Sequence, residues 1–339
     1  MQQRILVTGA NGHIGQACVR DLLQNGYNVR ASVRDIKNAE KTAGLSDLDI
    51  DIVEADLFDQ ESLDRACDGC DSVFQLAAIY EFFSNADESI FEKTGTNGAS
   101  NLLKAAAKAN IKRVVLTSSI VAVGPTERGK PPATEEHWNA DLQVPYFREK
   151  TDGERFARKV AGQIGIDLVT VCPGVVLGPY FQKSTPSIDN IEAIAKGALL
   201  FGAPNVSLAT VDVRDVASAH RLAFEKGAPG GRYIAIEGNY SMRVIAERLH
   251  DIDPNVKRPL MTMPSFIQPL LPLFDLINSK ILGHPRTISR KLERSLRGRD
   301  LIFDDTVSRN ALDWQPNYGL RDSLSETLNT LRQNGRYGR

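Results

Sequence analysis

The chain has 339 residues, 42% hydrophobic and 24% charged, which suits one large α/β domain or one carrying a smaller lobe. A formal net charge of −1 gives no global reason to expect nucleic acid or a membrane as partner. Met1-Gln2-Gln3-Arg4 leads straight into Ile5-Leu6-Val7 with no secretory signal, and no uninterrupted apolar run reaches the ~20 residues of an integral membrane segment.

Taken in order, Ile5–Thr8 reads as a strand and Ile14–Asn25 as a helix closed by Gly26. Val29–Val33 and Asp51–Glu54 are further strands, Gln60–Ala66 a helix, Ser72–Leu76 a strand and Ser100–Asn110 an Ala-rich helix. Arg113–Thr117 and Leu168–Cys172 complete the series of buried strands. Strands alternating with helices predict right-handed βαβ units, hence a doubly wound α/β fold of Rossmann type with a parallel sheet. Beyond Pro173-Gly174 the rhythm breaks. Val206–Val211 then reads as a strand returning to the sheet, followed by a helix over Asp215–Lys226, a helix over Met242–Leu249 and a basic helix near Ile288–Gly298. The expected division is a dinucleotide-binding domain over 1–176 and 206–237, interleaved with a substrate-binding lobe over 177–205 and 238–339.

Cys67-Asp68-Gly69-Cys70 is formally a C-x-x-C, but no second pair stands at zinc-ligand spacing, so a turn between helix and strand is expected. With no disulfide framework, the cytoplasm is the expected compartment. The five histidines are scattered, and no metal site is expected.

The first strand runs into Gly9-Ala10-Asn11-Gly12-His13-Ile14-Gly15 and then a helix. Gly9 allows the tight turn, Gly12 lets backbone N–H groups approach a pyrophosphate, and Gly15 allows close helix–strand packing. His13 and Ile14 would contribute backbone to the same anion site. At the end of the second strand stands Arg34, followed by Asp35, with Lys41 a little further on. An acid there binds the ribose of NAD, whereas a guanidinium attracts the 2′-phosphate of NADP. NADP(H) is therefore the expected cofactor, although Asp35 leaves a ribose contact open. Asp56 and Leu57, after the third strand, are placed near the adenine, with an ordinary helix N-cap as the alternative.

Tyr146-Phe147-Arg148-Glu149-Lys150 follows Pro145, which suits the first turn of a helix and puts Tyr146 and Lys150 on one face. A phenol titrates near 10 unless a nearby ammonium stabilises its anion, so Lys150 would fit Tyr146 for proton transfer. Ser118 and Ser119 follow the strand ending at Thr117, on the sheet edge where this fold binds ligands. A hydroxyl there can donate to a carbonyl oxygen as charge develops on it.

These motifs together resemble the extended short-chain dehydrogenase/reductase superfamily, from Thr8-Gly9-x-x-Gly12-x-x-Gly15 to Leu312-Asp313-Trp314-Gln315-Pro316. Val29–Asp35, Gly69–Ala78 and Tyr146-Phe147-x-x-Lys150 are similar to the dihydroflavonol reductase and cinnamoyl-CoA reductase branch, and closer to its bacterial-type members. The resemblance implies that Ser119, five residues before Gly124, is the serine of the catalytic set with Tyr146 and Lys150. It implies that Ala77 and Ala78 lie near the nicotinamide ribose, Pro173 through Val176 near the carboxamide, and Ser187 at a further cofactor contact. It also implies an NADPH-dependent reductase of a small aldehyde or ketone, with the proton coming from Tyr146. Ile79-Tyr80-Glu81-Phe82-Phe83 departs from the plant reductases' Thr-Pro, and Val123-Gly124 stands where they commonly carry an Asn, which tells against a flavonoid.

Tyr80, Phe82, Phe83 and Phe181 suggest an apolar or aromatic substrate wall, with core packing as the alternative. Phe266–Leu282 is broken by Pro269, Pro272, Asp275 and Lys280, and suits a lid or a subunit interface; a homodimer is the base-rate expectation. Arg290, Arg294 and Arg297 would share a helix face, either solvated or holding an anionic handle such as a CoA phosphate or a lipid headgroup. Two rivals stand beside the reductase. One is a nucleotide-sugar epimerase or dehydratase with tightly bound NAD; the other is a non-catalytic NADP-binding redox sensor, which would have no use for the Ser-Tyr-Lys set.

Overall fold

A computed structural model of the chain describes residues 2–76, 94–183, 185–283 and 286–338. Its strands are β1 (Arg4–Thr8), β2 (Asn28–Val33), β3 (Asp51–Glu54), β4 (Ser72–Gln75), β5 (Arg113–Thr117), β6 (Thr126–Glu127), β7 (Asp167–Pro173), β8 (Val175–Leu177), β9 (Ser207–Asp212), β10 (Arg232–Ala235), β11 (Gly238–Ser241) and β12 (Arg299–Asp300). Seven form the central sheet in the order β10-β7-β5-β4-β1-β2-β3, every pair parallel. The chain leaves β1 for β2 and β3 on one side, then crosses to β4, β5 and β7 on the other. The switch point between β1 and β4 is where this architecture opens a crevice for a ligand.

The buried strands alternate their side chains between two layers. Ile5, Val7, Val115, Val169 and Val171 join one cluster with α1 (His13–Gln24). Leu6, Val73, Val114 and Leu168 join another on the opposite face, with α3 (Gln60–Cys67), α4 (Ala99–Lys108) and α6 (Pro145–Ile164). The short α2 (Ala39–Thr42) lies between β2 and β3, and α5 (Ile120–Val123) follows β5. α8 (Val213–Lys226) lies beside α1 and shares its cluster. Trp314, just after α12 (Thr306–Leu312), closes that layer, and its indole N–H reaches Ser218 Oγ at 3.0 Å.

The smaller lobe has its own three-stranded sheet, β11-β9-β8, covered by α7 (Pro186–Ala195), α9 (Met242–Ile252) and α13 (Leu320–Gln333) around a third apolar cluster. One expectation is corrected here. The strand foreseen at 206–211 does not rejoin the central sheet: β9 pairs parallel with β8 and antiparallel with β11. A buried apolar strand has the same composition in either sheet, so sequence pattern could not assign it. α8, β10 and the end of α12 with Trp314 return to the main domain. The lobe is completed by α10 (Leu271–Leu282) and α11 (Arg290–Leu296). Cys67 and Cys70 flank a turn at Gly69, φ +69°, as expected; both thiols are free, buried and raised by that burial.

Candidate active site

The glycine loop has the shape its sequence foretells. Gly9 takes φ +63°. A Cβ on Gly15 would lie 2.3 Å from the Gly9 carbonyl oxygen and 2.8 Å from Ala10, so only glycine fits there. α1 begins after Gly12 with no side-chain cap and no acid in its first turn, whereas Asp212 caps α8 and Asp59 caps α3. The first N–H groups of α1 are thus left for an external anion, which fits a dinucleotide pyrophosphate. Ile14 borders the core cluster under the loop. The His13 ring turns inward, edge-on to Phe181 at 5.5 Å, and burial lowers its pKa to about 4. Its backbone alone is left for a cofactor.

Arg34 projects into solvent from the end of β2, its Nε 3.7 Å from Asp56 Oδ2, and Lys41 lies 3.8 Å from Asp35. Asp56 also accepts from the Phe58 N–H at 2.9 Å, while Leu57 packs against Gly98. Both cations have a carboxylate nearby, yet the exposed guanidinium is free to turn to a phosphate.

The catalytic candidates converge at the opposite end of this crevice. Pro145 opens α6 without an acid in its first turn, so Tyr146 sits at the positive end of a 20-residue helix. Lys150, one turn on, holds its ammonium 5.9 Å from the Tyr146 ring centroid. Beside it lies Glu149, buried, its carboxyl raised by that burial and 3.6 Å from Lys150 Nζ. The two serines after β5 face different ways. Ser118 Oγ donates to Glu154 at 2.7 Å, and Ser119 caps α5 and lines the cavity next to Tyr146. Glu154 is the hub of the region: it also accepts from Arg158 at 3.0 Å and from Arg232 at 2.7 Å, and Arg232 stacks on Trp138 at 3.9 Å.

Ser119 and Tyr146 form the floor of a cavity of about 630 Å³ between the sheet and the lobe. Its walls are largely apolar, including Val121, Phe147, Val175, Leu208, Leu292 and Leu301. Ser187 lines it too, from the first turn of α7. Each charged side chain in the wall has an opposite partner. Asp189 pairs with Arg336 at 2.8 Å, Arg286 with Asp275 at 3.3 Å, and Glu293 with Arg297 at 2.7 Å.

Residues 5–235 match the model of the NAD dependent epimerase/dehydratase family. The chain belongs to that family. It is 34% identical over 275 residues to a dihydroflavonol 4-reductase of Zea mays, covering 75% of this chain and 76% of the relative. Cinnamoyl-CoA reductase 1 of Arabidopsis thaliana is 35% identical over 269 residues, covering 75% and 76%. Among solved structures, the yeast methylglyoxal/isovaleraldehyde reductase complexed with NADPH superposes with a TM-score of 0.76 at 22% identity, over 99% of this chain and 100% of its own. The resemblance drawn from the motifs is borne out.

Within this family member, several expectations need correction. Phe181 does not line the cavity; it is fully buried in the lobe core against His13, the alternative its sequence left open. Pro173 through Val176 span the end of β7 and the start of β8; there Gly174 and Val175 line the cavity, and the Val176 side chain packs in the core with Val211 and Val213. Arg297 lies just past α11, exposed but with its guanidinium held by Glu293, so that of the three only Arg290 and Arg294 have no ion-pair partner among the described residues. Ala77, Ala78, Tyr80, Phe82 and Phe83 lie outside the described residues. Gln268 and Leu271 reach the cavity from the segment expected as a lid, whereas Asn205 and Met242, which line it from elsewhere in the lobe, carry no local sequence signal.

Proposed function

We propose that the protein is an NADPH-dependent reductase of uncharged, apolar or aromatic aldehydes or ketones, with Ser119, Tyr146 and Lys150 as its catalytic residues. When bound, NADPH supplies the hydride that reduces the carbonyl carbon. The backbone at Gly9, Gly12, His13, Ile14 and Gly15 would hold its pyrophosphate, and Arg34, with Lys41 nearby, its 2′-phosphate. Asp56 and Leu57 would border the adenine, and Gly174, Val175 and Ser187 the nicotinamide end. Ser119 would orient the carbonyl oxygen, Tyr146 would give the alkoxide its proton, and Lys150 would favour the phenolate that remains. The reductase relatives support this reading.

The observation that carries the substrate class is the wall itself: among the described residues, no charge facing the cavity lacks an opposite partner. A nucleotide sugar would bring two phosphate charges into a site whose arginines are already neutralised, and burying such charges without partners is costly. The family's name keeps an epimerase in view. The test is consumption of NADPH, then NADH, with a panel of neutral carbonyl compounds beside a nucleotide sugar. NADPH turnover is expected with the neutral compounds, and Tyr146→Phe should lose about 10³-fold in kcat while binding NADPH normally. NAD retained through purification, with epimerised sugar and no net oxidation of NADPH, would instead establish the epimerase.

A further inference from the structure

The segment from residue 257 to 297 carries eight Lys and Arg against two acids, a net +6 in a chain whose total is −1. The two acids, Asp275 and Glu293, are buried and paired with Arg286 and Arg297. Lys257, Lys280, Arg290 and Arg294 are exposed, and none of them forms an ion pair within 4 Å among the described residues. The same segment holds most of the exposed large apolar side chains of the described residues, from Leu260 through Phe266 to Ile281. α10 is inverted relative to an ordinary surface helix. Its polar Asp275 faces the protein and Asn278 donates to the Ala198 carbonyl, while Leu273, Phe274, Ile277 and Ile281 face out. Phe201 joins this surface, because residues 200–203 run alongside 260–263.

We propose that this face docks the protein on the surface of an anionic lipid bilayer, with the apolar side chains entering the headgroup region and the surrounding Lys and Arg meeting phosphates. Exposed apolar area of this extent marks an interaction surface, and exposed basic side chains on the same segment fit an anionic interface. A second copy related by a twofold axis would lay Arg290 and Arg294 of each copy near one patch of like charge, which disfavours self-pairing. No helix among the described residues is long and apolar enough to cross a membrane, so the contact is at the surface.

The face is continuous with the substrate cavity. A second cavity of about 180 Å³ shares Asn190, Pro204, Met242, Leu271, Thr287 and Ile288 with the larger one, and its outer rim includes the exposed Phe201 and Phe274. An apolar carbonyl compound dissolved in lipid would enter by that vestibule. This route rests on the reductase reading, whereas docking does not, so failure of one is visible apart from failure of the other.

The experiment is co-sedimentation of the full chain with phosphatidylcholine vesicles, with and without about 30 mol % phosphatidylglycerol, at low and high salt. Binding at least about tenfold tighter to the anionic vesicles, weakened by salt, is expected. Phe274→Asp with Ile277→Asp, and separately Arg290→Glu with Arg294→Glu, should each remove most of it. All four positions are exposed, and an unchanged thermal midpoint would establish that the variants fold. Equal binding to neutral and anionic vesicles, or no binding to either, would overturn the proposal. So would a dimer in solution that the Phe274/Ile277 variant turns into a monomer, since a second copy would then cover the face. Capture of an acidic protein without any vesicle binding would overturn it as well.

Discussion

At the scale of single residues, the proposed preference for NADPH rests on one exposed guanidinium. Arg34 stands where the second strand ends, and the nearest carboxylate, Asp56, is 3.7 Å away and takes a backbone N–H as well. A phosphate dianion offers more charge and a bidentate geometry, so it competes well for this side chain. Arg34→Ala is expected to raise the KM for NADPH about 10- to 100-fold, the range of one or two charge-assisted hydrogen bonds, while KM for NADH stays within about twofold. Equal losses for both cofactors would show that the residue shapes the loop and does not select the phosphate. Arg34 was visible in the sequence because the strand-end position is fixed by the local β-α-β unit. The inward turn of Phe181 was not, because an aromatic after a loop has the same local pattern whether it meets a substrate or a neighbouring ring.

Among elements, the active-site floor depends on how α6 is tied to the sheet. Glu154, two turns beyond Tyr146, binds Ser118 after β5, Arg158 on its own helix and Arg232 on β10. Those bonds fix the helix bearing Tyr146 against the strand end bearing Ser119. Removing the carboxylate would leave Arg232, itself mostly buried under Trp138, without its counter-charge. Glu154→Ala is therefore expected to cost about 3–5 kcal/mol of stability, measured by urea unfolding. Glu154→Gln, which keeps the shape, should lower kcat more than it raises KM, because it loosens the relation between hydroxyl and phenol. The Tyr-x-x-x-Lys spacing and the strand–glycine–helix unit were legible in sequence, since each lies within a few turns of chain. The Glu154 hub was not. It joins β5, α6 and β10, and nothing local to Glu154 distinguishes it from a solvent-facing helix acid.

For the whole molecule, the alternation of strands and helices was enough to foretell the doubly wound sheet, but the lobe's separate sheet and cavity wall depend on distant segments meeting. Burial at that scale also sets a pH dependence. The His13 and His220 rings are both enclosed, and desolvation lowers each pKa from the ordinary 6.5 to about 4. His220 is held as the neutral ring between Thr117 Oγ1 and the Val216 carbonyl, each at 2.7 Å. In the unfolded chain both rings take up protons near pH 6.5; in the folded chain they resist until about 4. Stability from these rings is thus complete above about 6.5 and is lost progressively as pH falls toward 4. By pH 5 each should have lost about 2 kcal/mol. Buried acids such as Asp21, Asp215 and Glu237 act in the opposite direction, because burial raises their pKa and their folded form gains protons as pH falls. The wild-type slope alone therefore mixes the two effects. Urea unfolding at pH 7, 6 and 5, compared between wild type and His220→Gln, separates them. The variant starts less stable at pH 7 from lost packing, and should then lose about 2 kcal/mol less than wild type between pH 7 and pH 5. Parallel curves would mean that His220 takes up its proton in the folded state as readily as in the unfolded one.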